Sequence, residues 1–290
     1  MLVLGFDDYL EPGKRLATAL DCPFQLVEVH RFPDGEHRLR LPADLPEDVV
    51  VCRSLFDPNT KLVDLLLLAE TARVNGANYL TLAAPYLCYM RQDAAFHPGE
   101  AVSQRIIGRL LAGMFDDVIT VDPHLHRIDR LSDAVPAERA VSLSAAAPMA
   151  AFIADEGMDE ALLLGPDEES EPWVTAIAAI SGNPYAVAKK LRLDDASVRI
   201  ALPDCDINGK RVLLVDDMIS TGHTAGETAR LALAKGATSV DCLVTHALMA
   251  GDAREQLAGA GVARIVSTDS VPDASNRVFL AELLAGAVRS

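Results

Sequence analysis

Strand-like and helix-like patterns alternate along this chain from its first residues to its last, and that alternation limits the folds open to it. Short aliphatic runs at residues 2–5, 24–29, 48–52, 79–84, 117–121, 161–165, 212–215, 240–245 and 264–267 read as strands. Between them, apolar residues recur at helical spacing over 60–75, 103–114, 224–235 and 254–258, and Gly76 and Gly236 follow two of these segments as stop signals. Strands alternating with helices in this way assemble into parallel sheets covered by the helices. The expectation is an α/β protein with mostly parallel sheets flanked by helices. A chain of 290 residues has room for two domains. Each half carries a strand that runs into a polar cluster, TVDPHLH in the first and LVDDMISTGHT in the second. The boundary is therefore placed near residue 145, giving domains 1–145 and 146–290; the last helix, 279–288, is able to pack on either half.

The second cluster is the more informative. In VLLVDDMISTGHTA, residues 212–225, four aliphatic residues meet Asp216 and Asp217, and those give way to Ser220, Thr221, Gly222, His223 and Thr224. Adjacent carboxylates repel, which raises the pKa of one unless donors or a cation compensate. The vicinal diol of a sugar supplies such donors. The loop that follows leads into a helix, so its backbone N–H groups and the positive end of the helix dipole converge on an anion site. Diol on the aspartates and phosphate in the loop together describe a sugar phosphate. A bare turn followed by a capped helix would account for the aspartates or the threonines separately, but not for the whole pattern.

Five other stretches extend this reading. Phe32 can stack on a purine, with Asp34 and Glu36 accepting from an amino group or a ribose hydroxyl; alone, Pro33-Asp34-Gly35 would be a turn. Arg91 could hold an ATP phosphate and Gln92 a base edge or ribose. His124, at the end of a strand, is a possible Mg²⁺ ligand or phosphate contact, although imidazole is an uncommon partner for so hard an ion. Asp167, after Gly165-Pro166, could hold a metal-bound water or a ribose oxygen. Finally, Lys189, Lys190 and Arg192 gather three cations in an otherwise acidic sequence. On a hairpin arm, Lys190 and Arg192 could close over a polyphosphate and neutralise developing charge.

Composition narrows the partners. A net charge of −16 argues against nucleic acid and anionic membranes. No apolar run is long enough to span a bilayer. The short apolar start lacks a preceding basic region, so no signal peptide is expected. The widely spaced Cys22, Cys52, Cys88, Cys205 and Cys242 fit buried thiols in a reducing cytoplasm. Neither G-x-x-x-x-G-K-[ST] nor G-x-G-x-x-G occurs, which removes P-loop kinases and Rossmann dehydrogenases.

Together FPDGE, the block from PY through RQD to PGEAVS, TVDPH, GPD, K-L-R and VDDMISTGHT, in that order, resemble the ribose-phosphate pyrophosphokinases, and more closely their short archaeal-type branch. The resemblance implies two type I phosphoribosyltransferase-like domains that bind ATP and ribose 5-phosphate with Mg²⁺, or with Mn²⁺ in its place. It implies transfer of the β,γ-diphosphoryl group of ATP to the anomeric hydroxyl, giving PRPP and AMP. It carries over Phe32, Asp34, Glu36, Arg91, Gln92 and Asp93 as ATP contacts and residues 220–224 with Asp216 and Asp217 as the ribose 5-phosphate site. His124 and Asp167 become the metal residues and Lys190 and Arg192 the catalytic cations. Because the Phe-x-Asp-Gly-Glu loop serves a neighbouring subunit in the family, a homo-oligomer is implied, a dimer or a dimer-based tetramer or hexamer. Three departures stand out. Ala94 and Ala95 replace two basic residues of the long bacterial branch. Glu168 and Glu169 stand where the family tends to have Gly and Ala. His223 occupies a Gly or Ala position, where a positive φ or close phosphate approach is expected. Rival readings are a phosphoribosyltransferase that consumes PRPP, a diverged kinase for another pentose phosphate, and a non-catalytic nucleotide-binding partner of an active synthetase.

Overall fold

The computed structural model describes every residue except His126 and 193–197, and leaves the side chains at 191, 192, 198 and 199 undescribed. The chain divides into two compact units, Met1–Leu143 with Leu280–Ser290, and Ser144–Phe279.

In the first unit, β1 (Leu2–Gly5), β2 (Phe24–Leu26), β5 (Asp48–Cys52), β6 (Tyr79–Ala83), β7 (Asp117–Val121) and β8 (Arg139–Leu143) form one parallel sheet in the order β2-β1-β5-β6-β7-β8. Helices α1 (Leu10–Leu20), α2 (Pro58–Val74), α3 (Ser103–Ala112) and α8 (Ala281–Val288) accompany it. The central strands β5, β6 and β7 are buried almost throughout, so they read as continuous aliphatic runs. The run at 24–29 is not one strand. Val27 still donates its N–H to the Gly5 carbonyl at 2.8 Å, after which the chain leaves the sheet. It forms an antiparallel hairpin of β3 (Glu28–Arg31) and β4 (His37–Arg40) that belongs to neither large sheet.

The second unit repeats the architecture. Helix α4 (Ala146–Asp155) precedes β9 (Leu162–Gly165), α5 (Glu171–Ser181) and β10 (Tyr185–Val187). A second hairpin follows, β11 (Lys189–Arg192) with β12 (Val198–Ala201). Then come β13 (Arg211–Ile219), α6 (His223–Ala234), β14 (Ser239–Ala247), α7 (Ala253–Gly259), β15 (Val262–Thr268) and β16 (Asn276–Val278). The sheet order, β10-β9-β13-β14-β15-β16, matches the first unit strand for strand. Leu162, Leu164, Leu214, Val240 and Val244 lie in one buried cluster of its core.

The C-terminal segment departs from the 146–290 division. Residues 280–290 return to the first unit, where α8 packs on α1 and the Arg139 guanidinium donates to the Ala287 carbonyl at 3.0 Å. The buried Leu284, Ala285 and Ala287 supply the apolar stripe that this packing requires. Among the described residues, no helix is long and apolar enough to cross a membrane.

Candidate active site

In an open parallel sheet, the crevice for a ligand lies at the carboxyl ends of the strands where the strand order reverses. In the second unit that point falls between β9 and β13. After β9 the chain turns through Pro166 into Asp167, whose carbonyl accepts from the Ser170 hydroxyl at 2.6 Å and from the Ser170 N–H at 3.2 Å. A Cβ on Gly165 would lie 2.2 Å from that hydroxyl oxygen, so glycine is what lets the turn close. Asp167 is 9% exposed, and its carboxylate accepts the Glu169 N–H at 3.1 Å.

On the other side of the crevice, β13 does not stop at residue 215. Its pairing with β14 continues through Asp216, opposite Val244, and Met218, opposite His246. The two aspartates are thus strand residues, held by the ladder. Asp217 is buried, Asp216 is half-buried, and the Asp217 N–H donates to Asp216 Oδ1 at 2.9 Å. Burial pushes the Asp216 carboxyl well above the usual carboxylate range, and the negative charges of Asp217 and Asp167 push it further. Burial also raises Asp167, with Glu169 adding to the rise and Lys190 opposing it. Ionising Asp216 beside the other two carboxylates is therefore unfavourable in the free protein.

Beyond β13, Gly222 starts α6 with φ +77° and no side chain caps the helix. A Cβ there would sit 3.1 Å from the Ala253 carbonyl oxygen and 3.2 Å from Leu257, so packing against α7 as well as backbone conformation selects glycine. The expectation of a positive φ at His223 is corrected by this geometry. The left-handed residue is Gly222, and His223 opens the helix, exposed. The Ser220 carbonyl accepts from Ala250 N–H at 2.9 Å, which pins the start of the loop. Thr221 is exposed and Thr224 half-buried, so the loop from Ser220 to Thr224 presents hydroxyls and uncapped helix N–H groups together.

The β11–β12 hairpin enters this crevice through Lys190. Its Nζ lies 3.9 Å from Asp167 Oδ2, and its backbone N–H donates to Glu168 Oε2 at 3.0 Å. Glu168, a departure from the family pattern in the sequence, thus holds the foot of the arm. The Arg192 side chain lies outside the described residues. The structure therefore brings together Asp167, Lys190, Asp216 and Asp217 in one unit.

The remaining candidates belong to the first unit. Phe32 is exposed at the tip of the β3–β4 hairpin, its ring edge-on to His30 at 4.8 Å between centroids. Phe32 N–H donates to the Glu36 carbonyl at 2.8 Å, and Gly35, at φ +95°, closes the turn that presents Asp34 and Glu36. Arg91 is exposed. Gln92 donates to the Ala94 carbonyl at 3.0 Å, and the Asp93 side chain is turned inward, paired with Arg127. Sequence reasoning missed Glu100, which gathers this loop by accepting from Phe96 N–H at 2.8 Å, His97 N–H at 3.1 Å and the His97 ring at 2.6 Å. Those bonds, the His97 ring first, hold its carboxyl below the usual range. Only the quoted PGE spacing hinted at it. His124 is half-buried just after Asp122, a non-glycine residue at φ +39°.

The first unit has its own strand-order reversal, between β1 and β5, and there the crevice is filled. Arg53 is stacked on Phe6 at 3.7 Å and reaches Asp8 at 3.3 Å and Asp64 at 2.9 Å. Lys61 lies 2.9 Å from Asp8 and 3.3 Å from the Phe56 ring centre. Burial lowers the Lys61 pKa despite that partner. What is an open acidic notch in one unit is a closed ion-pair lattice in the other.

Among the described residues no group of three His, Cys, Asp or Glu side chains is arranged to hold a metal. The oxygen donors of Asp167 and Asp216 nevertheless suit a hard divalent cation, which commonly takes one or two carboxylates and completes its shell with water and substrate phosphates. The raised carboxyl pKa values of Asp167 and Asp216 fit a place for such an ion.

Two α/β units with matching strand order, one opening an acidic notch beside a helix-start anion loop, define a protein of the phosphoribosyltransferase class. Residues 1–114 match the N-terminal domain of ribose phosphate pyrophosphokinase, and residues 140–271 match the phosphoribosyl transferase domain. The ribose-phosphate pyrophosphokinase of Methanopyrus kandleri is 38% identical, with 100% of this chain and 99% of that protein covered. That of Sulfolobus acidocaldarius is 32% identical over 98% of this chain and 97% of that one. The crystal structure of phosphoribosylpyrophosphate synthetase from Mycobacterium smegmatis superposes with a TM-score of 0.84 at 25% identity, covering 99% of this chain and 97% of the other. The chain belongs to the ribose-phosphate pyrophosphokinase family, and its activity is that of a ribose-phosphate diphosphokinase.

Proposed function

We propose that the chain converts ATP and ribose 5-phosphate to PRPP and AMP with the following division of labour. The acidic notch beside the α6 loop is the observation that carries it. The sugar phosphate group rests on the uncapped N–H groups and hydroxyls of Ser220–Thr224, while the ribose diol donates to Asp216 and Asp217. The anomeric oxygen is thereby oriented toward the β-phosphorus of ATP. The bond between that oxygen and the β-phosphorus forms as the bond from the β-phosphorus to the α-phosphate oxygen breaks; the hydroxyl proton passes to solvent and AMP departs. Lys190 and Arg192 supply positive charge as it develops on the transferring group. Phe32, Asp34 and Glu36 receive the adenosine, with Arg91 and Gln92 on the phosphates and ribose. Asp93 supports the loop through Arg127. A divalent ion would be held in the second unit by Asp167 and would supply charge neutralisation between the two polyanions; in the first unit, His124 is the candidate metal residue.

The direct test is product analysis after incubation with Mg-ATP and ribose 5-phosphate. AMP with PRPP is expected; ADP would assign the chain to simple phosphoryl transfer, and no turnover to a binding role.

Turnover is expected to fall to background in excess EDTA and to return with Mg²⁺ or Mn²⁺, read by AMP release. His124→Ala should raise the metal concentration that gives half-maximal rate.

Assembly is proposed as homo-oligomeric, with the Phe32 loop serving a neighbour. A Phe32→Ala variant should lose ATP affinity, and mixing it with Lys190→Ala should restore part of the activity after subunit exchange. Absence of complementation after proven exchange would remove the shared site.

A further inference from the structure

The loop assigned to the nucleotide stands away from the sheet that carries it. Strand β3 is exposed along its whole length, while β4 alternates, with His37 and Leu39 turned inward. Leu39 joins the core of the first unit, which secures the base of the hairpin. The tip overhangs a cavity of about 640 Å³, with Asp34, Glu36 and His37 on one wall and Asn59, Thr60 and Val63 of α2 on the other. Across this gap His37 Nδ1 meets Asp64 Oδ1 at 2.7 Å.

That bond has an unusual backing. Asp64 is 1% exposed, and its second oxygen accepts from Arg53 Nη1 at 2.9 Å. An oxygen pair facing a guanidinium is a carboxylate and can only accept, so Nδ1 of His37 carries the proton in this contact. Arg53 in turn is fixed by the Phe6 ring and by Asp8, which Lys61 also holds. The bond thus ends on a rigid lattice rather than on a mobile surface group. Nothing in the catalytic scheme above uses it.

We propose that His37 is a positioning residue for nucleotide use, its bond to Asp64 setting the stand-off of the Phe32–Glu36 loop from α2. The inference rests on the reading that this loop contacts the adenosine of ATP. Without the bond, the tip depends on the packing of its hairpin base, and a lone two-stranded hairpin is marginal in stability. ATP must then order the loop as it binds, which weakens affinity without touching the chemistry.

The test compares His37→Ala, His37→Asn and Phe32→Ala in the full-length protein. The Asn side chain places an N–H donor near the position of Nδ1. His37→Ala is expected to raise KM for ATP about tenfold, the order expected for losing a hydrogen bond to a charged group. Its kcat and its KM for ribose 5-phosphate should stay within about twofold, since neither group of contacts involves the hairpin. His37→Asn should recover most of the loss. Hydrogen exchange should accelerate in His37→Ala at the amides of residues 32 and 34–36 and not elsewhere. Unchanged exchange at the loop, or a joint fall in Tm, kcat and both affinities, overturns the proposal. Phe32→Ala separates the two ideas. If it leaves KM for ATP untouched, the nucleotide reading of the loop fails, and loop exchange alone then decides whether His37 holds the tip.

Discussion

Lys190→Ala is expected to lower kcat by about 10²–10⁴ while KM for either substrate moves less than about threefold. The Lys190 ammonium is half-exposed and 3.9 Å from Asp167, at the edge of the notch and not in a core. Its hairpin pairs with neither six-stranded sheet, so little opposes movement of the arm once substrates are present. A cation delivered at that stage acts where charge builds on the transferring group, and comparable arginine fingers contribute about 10³–10⁵ in turnover. The lower figure expected here allows for partial cover by Arg192. Steady-state kinetics in both substrates checks it. A raised KM for ATP with kcat intact would make the arm a ground-state binding element.

Asp216→Asn should cut kcat/KM for ribose 5-phosphate by about 10–100-fold, the loss expected for hydrogen bonds to one charged acceptor, with ATP binding preserved. The same substitution should raise Tm at pH 8. Burial and neighbouring carboxylates raise the folded-state pKa of Asp216 above its value in the unfolded chain. Its contribution to stability is therefore complete below the unfolded carboxylate range, near about 3.9, and is lost as pH rises through the folded value. Asparagine cannot ionise, so the loss disappears, each kcal/mol recovered being worth about 2–4 °C in a domain of this size. Thermal melts at pH 5 and pH 8 should show an advantage of the variant that is larger at the higher pH. Equal shifts at both would mean that the charge of Asp216 is already balanced in the free protein.

Most of this was legible in the sequence where chemistry is local. Residues 216–224 are contiguous, so their order alone predicted a carboxylate pair beside a helix-start loop. The alternation of buried strands predicted parallel sheets because central strands show it at full length. Elements at the margins were harder. Helix α1 contains Pro12-Gly13, a pair that reads as a turn, and the edge strands β10 and β16 have three residues each. Partnerships across long separations left no trace at all. Asp93 with Arg127, Glu168 with the Lys190 backbone, and His37 with Asp64 are each formed by residues more than twenty positions apart. Each member alone looks like an ordinary surface charge. The stretch Glu168-Glu169 read as surplus negative charge because its hydrogen-bond partners were invisible.

The matching strand order of the two units puts two unlike fillings at one topological address. In the first unit, Arg53 and Lys61 already satisfy Asp8 and Asp64, so a bound anion or cation has nothing to gain there, and removing one partner would strand a buried charge at a cost of about 3–5 kcal/mol. In the second, Asp217 and Asp167 raise the pKa of the buried Asp216, so ionising it costs free energy until a donor or cation is bound. Binding relieves that cost, and whatever relief it gives is added to the stability of the folded state by mass action. Heat-resistance in this protein is accordingly lodged unevenly: one half carries its own counter-charges, and the other takes hydrogen-bond donors and cations from what it binds.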